Sequence, residues 1–87
     1  MFKYQIVVKG NGAGVPAKLR ALSKRDIPGA KCRVIATRDL SGQTAVTVEI
    51  DYENQVTVEG ALNRWFVSGA PTPPFPDGTL LYWAKLT

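Results

Sequence analysis

The fold is decided by the stretch Lys31–Tyr52, KCRVIATRDLSGQTAVTVEIDY. Two runs, 31–38 and 43–52, are separated by the turn-forming segment Asp39-Leu40-Ser41-Gly42, and apolar and polar residues alternate along 31–34 of the first and 46–52 of the second. Alternation with a period of two is typical of a half-buried strand, so the stretch predicts a β-hairpin. We expect a three-residue loop with Gly42 in the left-handed conformation.

The side chains of the hairpin favour one register of its two strands. That register pairs Cys32 with Ile50, Val34 with Val48 and Ala36 with Val46 on one face, and Arg33 with Glu49 and Lys31 with Asp51 on the other. Apolar pairs pack on the first face, and opposite charges attract across the second. Because a slip by one residue would turn every side chain to the wrong face, we expect this register.

A strand and a helix are predicted on the N-terminal side of the hairpin. Residues 2–9 alternate as a half-buried strand does, and the glycine-rich residues 10–14 interrupt the pattern. Residues 15–25 carry a narrow apolar stripe at helical spacing. Pro16 suits the first turn of that helix, where its missing N–H costs little.

A second helix and a last strand are predicted on the C-terminal side. The helix is expected from the N-cap Thr57 through about Ser68, with Val58, Ala61, Leu62, Trp65 and Phe66 at helical spacing. An alternative interpretation continues a strand through residues 55–58. A stiff proline-rich loop over residues 70–78 then precedes a strand over 79–86.

The order βαββαβ predicts an α+β fold of the ferredoxin-like class. We expect a two-layer sandwich, with two helices on one face of a four-stranded antiparallel sheet of order 4-1-3-2. Residues 1–87 would form a single domain without a linker. The expected core consists of Phe2, Tyr4, Ile6, Val8, Leu19, Leu22, Val34, Val46, Val48, Ile50, Leu62, Trp65, Leu80 and Tyr82. In an alternative assignment, Trp83 belongs to the core and Tyr82 faces outward.

Charge is distributed unevenly along the 87 residues. Residues 1–38 carry nine basic residues and one acid, a net charge of +8, whereas residues 39–87 carry two basic residues and six acids, a net charge of −4. Asymmetry of this kind indicates an anionic partner.

Composition argues against several classes of protein. No apolar run approaches the ~18 residues that a membrane helix needs, so no membrane contact is expected. Cys32 is the single cysteine and cannot form an internal disulfide. That fits a reducing compartment, and we expect a cytoplasmic protein. Histidine is absent from the sequence. The commonest metal ligand is therefore missing, and we expect no metal and no cofactor.

The glycine-rich residues 10–14 are the candidate site for anion chemistry, because backbone N–H groups between a strand and a helix start can hold a phosphate. A flexible connection is the alternative interpretation. The spacing matches neither a dinucleotide-binding fingerprint nor a phosphate loop, and no base partners a nucleophile, so we predict that the chain is not an enzyme. A phosphate-handling enzyme at this loop is the third hypothesis. The possible anion or nucleic-acid contacts are Lys9, Gly12, Gly14, Lys18 and Arg25.

The position of this loop resembles that in the acylphosphatases, ferredoxin-like enzymes that hold phosphate at the first strand–helix loop. Their loop ends with an arginine, whereas the first arginine after Gly14 in this chain is Arg20, a turn into the helix. Residues 43–52 also lack the asparagine that would position water. The chain is therefore not assigned to that family.

The open face of the predicted sheet is the expected binding surface. Four apolar side chains are expected on this face. An exposed apolar group of that size usually marks a contact with a protein partner or with a second copy of the chain. The first hypothesis is therefore a small non-catalytic domain that binds a protein partner or itself through this face. Its apolar contacts would be Val7, Ile35, Leu81 and Trp83, with Lys3, Arg33 and Lys85 at the rim.

The second hypothesis is binding of single-stranded nucleic acid by the basic N-terminal half. Cations follow the phosphates of a single strand, and an aromatic ring such as Trp83 stacks on a base. RNA-recognition domains use this face of the same fold, but their aromatic signature is absent here. The predicted pairs with Glu49 and Asp51 would also neutralise half of the basic patch.

Overall fold

The computed structural model describes residues 1–10, 12, 14–66 and 80–86. The elements in chain order are β1 (Phe2–Lys9), α1 (Val15–Asp26), β2 (Lys31–Asp39), β3 (Gln43–Asp51), α2 (Gln55–Trp65) and β4 (Leu80–Lys85). Each predicted strand and helix is present. The proline-rich loop predicted over 70–78 and the helix end predicted at Ser68 lie outside the described residues.

The four strands form one sheet with the order β2-β3-β1-β4, which is β4-β1-β3-β2 when read from its other edge. All neighbouring strands are antiparallel. Apolar stripes of both helices pack on the same sheet face. The α+β class, with two helices and a four-stranded antiparallel sheet, is thereby confirmed. No helix among the described residues is long and apolar enough to cross a membrane.

The core lies between the sheet and the helices, with Tyr4, Ile6 and Val8 of β1 at its centre. Every predicted core residue is buried or packed against the core except Tyr82, which is 54% exposed. Four further residues belong to the buried cluster although the prediction omitted them: Val15, Ile27, Val58 and Ala61.

The β2–β3 hairpin follows the predicted register at the end away from its turn. Lys31 to Val34 pair with Asp51 to Val48 as expected. Beyond Val34 the register shifts, because Ile35 has no partner and Ala36 pairs with Thr47. The predicted pair of Ala36 with Val46 is therefore wrong. An extra residue of this kind is a β-bulge, which kinks the strand locally.

The turn of the hairpin is shorter than predicted. Ser41 and Gly42 have φ values of 60° and 89°, and the Leu40 N–H donates to the Gln43 carbonyl at 2.8 Å. Two successive left-handed residues are typical of a two-residue type I′ turn, which matches the twist of the strands. The predicted three-residue loop is therefore wrong, since its extra residue lies in the bulge at Ile35 instead.

β4 contains a second bulge. Val8 pairs with Leu80 and Val7 with Tyr82, so Leu81 between them has no partner. One extra residue turns every later side chain of a strand to the opposite face. Tyr82 therefore faces away from the helices, and its placement in the core is wrong. Trp83 faces the core instead, and its ring meets that of Tyr4 edge-on with the centroids 5.6 Å apart.

α2 begins at Gln55, and its N-cap lies three residues before the cap that the sequence indicated. Asn54 is the N-cap, and its side-chain oxygen accepts a hydrogen bond from the Thr57 N–H at 3.1 Å. Asparagine caps a helix somewhat better than threonine does, which favours the earlier start. The predicted cap at Thr57 and the alternative strand over 55–58 are both wrong.

Two buried aromatic side chains reach polar partners in neighbouring elements. The Trp65 indole N–H of α2 donates to the Asp26 carboxylate at the end of α1. The Tyr4 hydroxyl of β1 donates to Glu59 Oε2 of α2 at 3.1 Å. Burial, more than the nearby carboxylate, raises the pKa of Tyr4 to about 12. Tyr4 therefore remains a neutral hydrogen-bond donor at neutral pH and joins the sheet to α2.

Candidate functional site

The open face is the side of the sheet that points away from the helices, and its side chains form rows across the strands. Residues side by side in such a row stand about 5 Å apart. The rows, starting nearest the hairpin turn, are Arg38-Ala45-Val7-Tyr82, Ala36-Thr47-Gln5-Ala84 and Arg33-Glu49-Lys3.

The apolar group predicted on the open face is not assembled there. Trp83 and Lys85 lie on the helix side, because the bulge at Leu81 reverses the alternation of β4. Lys85 Nζ approaches Glu59 of α2 at 3.9 Å. Val7 does belong to the open face, but it is only 1% exposed, whereas Ile35 in the bulge of β2 is 41% exposed. The placement of Trp83 and Lys85 on this face is wrong, and Ile35 is the exposed apolar residue of the predicted group.

Among the described residues, the acidic side chains of the open face are confined to its end away from the hairpin turn. The guanidinium of Arg33 contacts Glu49 at 2.7 Å, as the register predicted. Lys3 stands opposite Glu49 on the other side. Lys31 is opposite Asp51 as predicted, but among the described residues the two form no ion pair. This end of the face is therefore close to neutral.

The other end of the open face combines an exposed ring with cations. Tyr82 and Arg38 stand at opposite ends of one row, and Lys9 pairs with Gln43 nearer the turn. All three side chains are exposed. Asp39 is close in sequence but belongs to the helix side, opposite Thr44. No acidic side chain among the described residues lies on this part of the face, which we name the Tyr82 end.

Sequence reasoning missed both Tyr82 and Arg38 as members of the candidate site. It gave the role of the exposed ring to Trp83, since an unbroken alternation after Leu80 places Trp83 on the open face. The signal that could have identified Tyr82 was the alternative assignment, in which Trp83 belongs to the core and Tyr82 faces outward. The bulge at Leu81 is the structural reason for that arrangement.

The glycine loop packs against the hairpin. Thr44 Oγ1 donates to the Gly10 carbonyl at 2.7 Å, and the Gly10 N–H donates to the Gly42 carbonyl at 2.9 Å. A Cβ on Gly12 would lie 3.1 Å from the Thr44 methyl group, at a φ of +73° that favours glycine. A close approach between the loop and β3 is therefore a structural reason for glycine at this position.

The predicted anion contacts are divided between the two ends of α1. Gly14 is the N-cap of the helix, and its carbonyl accepts from the Lys18 N–H at 3.1 Å. Arg25 is about 16 Å from Gly14 along the helix axis. Its guanidinium holds the carboxylate of Asp26 through hydrogen bonds of 2.9 and 2.8 Å. Arg25 is therefore not part of a site with the glycine loop.

The described part of the chain contains one thiol and no cluster of metal-ligating side chains. Within residues 1–10, 12, 14–66 and 80–86, no three metal-ligating side chains come together. Cys32 is a free thiol, and burial raises its pKa. A raised pKa keeps the thiol protonated at neutral pH, which makes it a weak nucleophile.

No protein-family model, no curated protein and no solved structure matches this chain.

Proposed function

We propose that this chain is a non-catalytic domain that binds single-stranded nucleic acid on the open face of its sheet. The observation that carries the proposal is the exposed ring of Tyr82 on the same surface as Arg38 and Lys9, where none of the described residues is acidic. Every base has a face that can stack on an aromatic ring, and cations follow the phosphates. The expected ligand is therefore a single strand bound without strong sequence preference.

We also propose that the fold is the ferredoxin-like sandwich. Support comes from the element order βαββαβ and from the central position of β1 and β3 in the sheet. Right-handed crossovers make this topology the expected one for such an order. RNA-binding domains of this class use the sheet face that the helices leave free. The unpaired thiol of Cys32 supports a reducing compartment such as the cytoplasm.

Fluorescence anisotropy with a labelled single-stranded RNA and a single-stranded DNA tests the proposed function. We expect both strands to bind at low salt, and a duplex of the same sequence to bind more weakly. Stacking of one base on an aromatic ring contributes about 1–3 kcal/mol, so Tyr82→Ala should weaken binding roughly fivefold or more. Tyr82→Phe keeps the ring and is the matched control, with affinity expected near that of the wild type.

The charge of the Tyr82 end is tested by the salt dependence of the same measurement. Loss of one phosphate contact lowers the slope of log K against log salt by about 0.7 for single strands, and this is the result expected for Arg38→Gln. Arg64→Gln removes the same charge from the exposed side of α2, and it should leave the slope unchanged. Equal effects of the two variants would mean that only net charge matters and that the open face is not the site.

A protein partner is the second candidate, and the edge strand β2 is the observation that favours it. β2 borders the sheet, and Ile35 in its bulge and Leu40 at its turn are exposed apolar residues. An extended segment can add to such an edge through backbone hydrogen bonds. Arg33 and Arg38 on this strand favour an acidic segment over a basic one.

Absence of any binding to single-stranded RNA and DNA at low salt would reject the nucleic-acid proposal. The protein candidate would then be tested by NMR titration with an extended acidic peptide. Backbone amide shifts confined to β2 would support addition of a strand at the edge. The shifts should be lost in Ile35→Asp if the peptide contacts the bulge. They should be kept in the control Val56→Asp, which changes an exposed apolar residue on α2.

A further inference from the structure

A cleft of about 350 Å³ opens between the C-terminal half of α1 and the first residues of β2. Arg20, Ser23 and Lys24 line it from one side of α1, and Lys31 and Cys32 line it from β2. Its volume is at the small end of the range of ligand sites, enough for one charged group with a small organic body.

Three cations surround this cleft, and no acidic residue among those described lines it. Arg20 and Lys24 are one helical turn apart on α1. Lys31, the first residue of β2, lies at the rim of the cleft, although its pairing with Asp51 places it on the open face of the sheet. None of the three forms an ion pair with a described residue. Asp51, opposite Lys31 on β3, lines the neighbouring clefts but not this one. Like charges held together in this way repel one another, and a bound anion would remove that repulsion.

The end of α1 gives Lys24 a structural role as well. Cations in the last turn of a helix offset its partial negative charge, which is about half an elementary charge. That partial charge does not balance three full cations, so the cleft remains positive. A phosphate monoester carries a charge of about −1.5 to −2 and three acceptor oxygens at neutral pH, and it suits the cleft better than a singly charged phosphodiester does.

Ser23 is the independent observation. It is 2% exposed, and its hydroxyl oxygen has no hydrogen-bond partner among the described residues. The hydroxyl lies near the Cys32 thiol without a hydrogen bond of normal geometry to it. Buried polar groups are nearly always hydrogen-bonded, so this orphan hydroxyl indicates a missing partner. Its oxygen exposes less than 1 Å², so it reaches a group in the cleft by rotation of the Ser23 side chain. An anionic oxygen is an acceptor that would satisfy it.

We propose that this cleft binds a phosphate monoester group, with Arg20, Lys24 and Lys31 around the phosphate and the Ser23 hydroxyl donating to it. The group belongs either to a small phosphorylated molecule or to the terminal phosphate of a nucleic-acid strand, since both present the same doubly charged oxygens. The cleft is built from α1 and β2, so this inference does not rest on binding at the open face.

Isothermal titration with inorganic phosphate, and then with a nucleoside 5′-monophosphate, tests the cleft in the full chain. Arg20→Gln and Lys24→Gln should each weaken binding about fivefold or more, because each removes a charge-assisted contact. Arg64→Gln is the matched control on α2 and should have no effect. Ser23→Ala should weaken binding about threefold or more without lowering the melting temperature, because the deleted hydroxyl has no partner in the unbound protein.

Alkylation of Cys32 by neutral iodoacetamide is a second readout, because this cleft residue is the single thiol of the chain. Inorganic phosphate should slow its alkylation in the wild type and in Arg64→Gln, and not in Arg20→Gln. Sodium chloride of equal ionic strength should not slow it.

Oligonucleotides with and without a 5′-phosphate separate the two sources of the group. Tighter binding of the phosphorylated strand, with the difference lost in Arg20→Gln and kept in Tyr82→Ala, would assign the cleft to a strand terminus. Equal binding of both strands, together with binding of the monophosphate, would assign it to a small molecule. The proposal is overturned if phosphate and the monophosphate do not bind, or if Arg64→Gln weakens binding as much as Arg20→Gln does. Binding at the open face would still be judged by Tyr82→Ala.

Discussion

Asp26 joins the ends of both helices through a single carboxylate. It accepts hydrogen bonds from the Arg25 guanidinium beside it and from the buried indole of Trp65 on α2. The hydrogen bond with Arg25 is the largest cause that lowers the pKa of Asp26 to about 2, and the hydrogen bond with Trp65 adds to it. A residue that sequence reasoning treated as one acid in a basic segment therefore has a structural role.

The acid sensitivity of the fold follows from this carboxylate. The folded pKa lies below the ordinary value of 3.8, so the folded protein binds this proton more weakly than the unfolded chain does. The stability that Asp26 contributes is fully present above about pH 4 and is lost as the pH falls towards 2. Asp26→Asn should lower the free energy of unfolding by about 1 kcal/mol or more at pH 7, and its difference from the wild type should narrow as the pH falls towards 2.

Urea unfolding at pH 7, 4 and 2.5 measures this difference. Glu53→Gln is the control, because it replaces an exposed carboxylate outside the contact between the helix ends. It should change stability by less than about 0.5 kcal/mol. A constant difference between Asp26→Asn and the wild type across the three pH values would show that the charge of Asp26 does not stabilise the fold.

At the scale of whole elements, both edge strands contain one extra residue, Ile35 in β2 and Leu81 in β4. Periodicity predicted every described strand and helix, and the charge pairs predicted the register of the hairpin away from its turn. Periodicity could not predict the two bulges, because the residues around both positions are apolar and fit either face of the sheet. The candidate site depended on the bulge in β4, so the sequence assigned the exposed ring to the wrong aromatic residue.

The bulge at Leu81 predicts opposite effects for two adjacent aromatic residues. Trp83 packs against Tyr4 on the helix side, so Trp83→Ala should lower the free energy of unfolding by about 3 kcal/mol. Tyr82 is exposed on the open face, and Tyr82→Ala should lower it by about 0.5 kcal/mol or less. Urea denaturation of the two variants at pH 7 measures both values. A larger loss for Tyr82→Ala would mean that β4 alternates without a bulge.

The hairpin turn contains a residue that strains its backbone. Ser41 is the single non-glycine residue with positive φ among the described residues, at 60°. The left-handed conformation costs most residues roughly 1–2 kcal/mol, and asparagine tolerates it better than serine does. Ser41→Asn should therefore raise the free energy of unfolding by roughly 0.5 kcal/mol, and Ser41→Val should lower it by about 1 kcal/mol or more. Thermal unfolding followed by circular dichroism measures both changes. If the loop had three residues, neither substitution should change the stability.

At the scale of the whole molecule, the charge asymmetry of the sequence becomes a spatial one. The basic residues of both proposed sites come from β1, α1 and β2, whereas described acids lie mainly on β3, on α2 and in the turn between them. The sequence alone indicated this excess of positive charge. It could not show that Arg20, Lys24 and Lys31 meet in one cleft, because that depends on how α1 lies against β2.

The edge strand β2 also determines whether two copies of the molecule associate. An exposed edge invites pairing with another chain, and natural sheets oppose this with charges and bulges. β2 has both, since Lys31, Arg33 and Arg38 outnumber Asp39 and the bulge at Ile35 kinks its middle. We therefore expect sedimentation equilibrium at about 100 μM protein and physiological salt to give the mass of one chain. Deleting Ile35 restores a regular register, and combined with Arg38→Thr it should shift the protein towards a dimer. A dimer of the unmodified chain would show that the edge is a natural interface, and would favour the protein-partner candidate over nucleic acid.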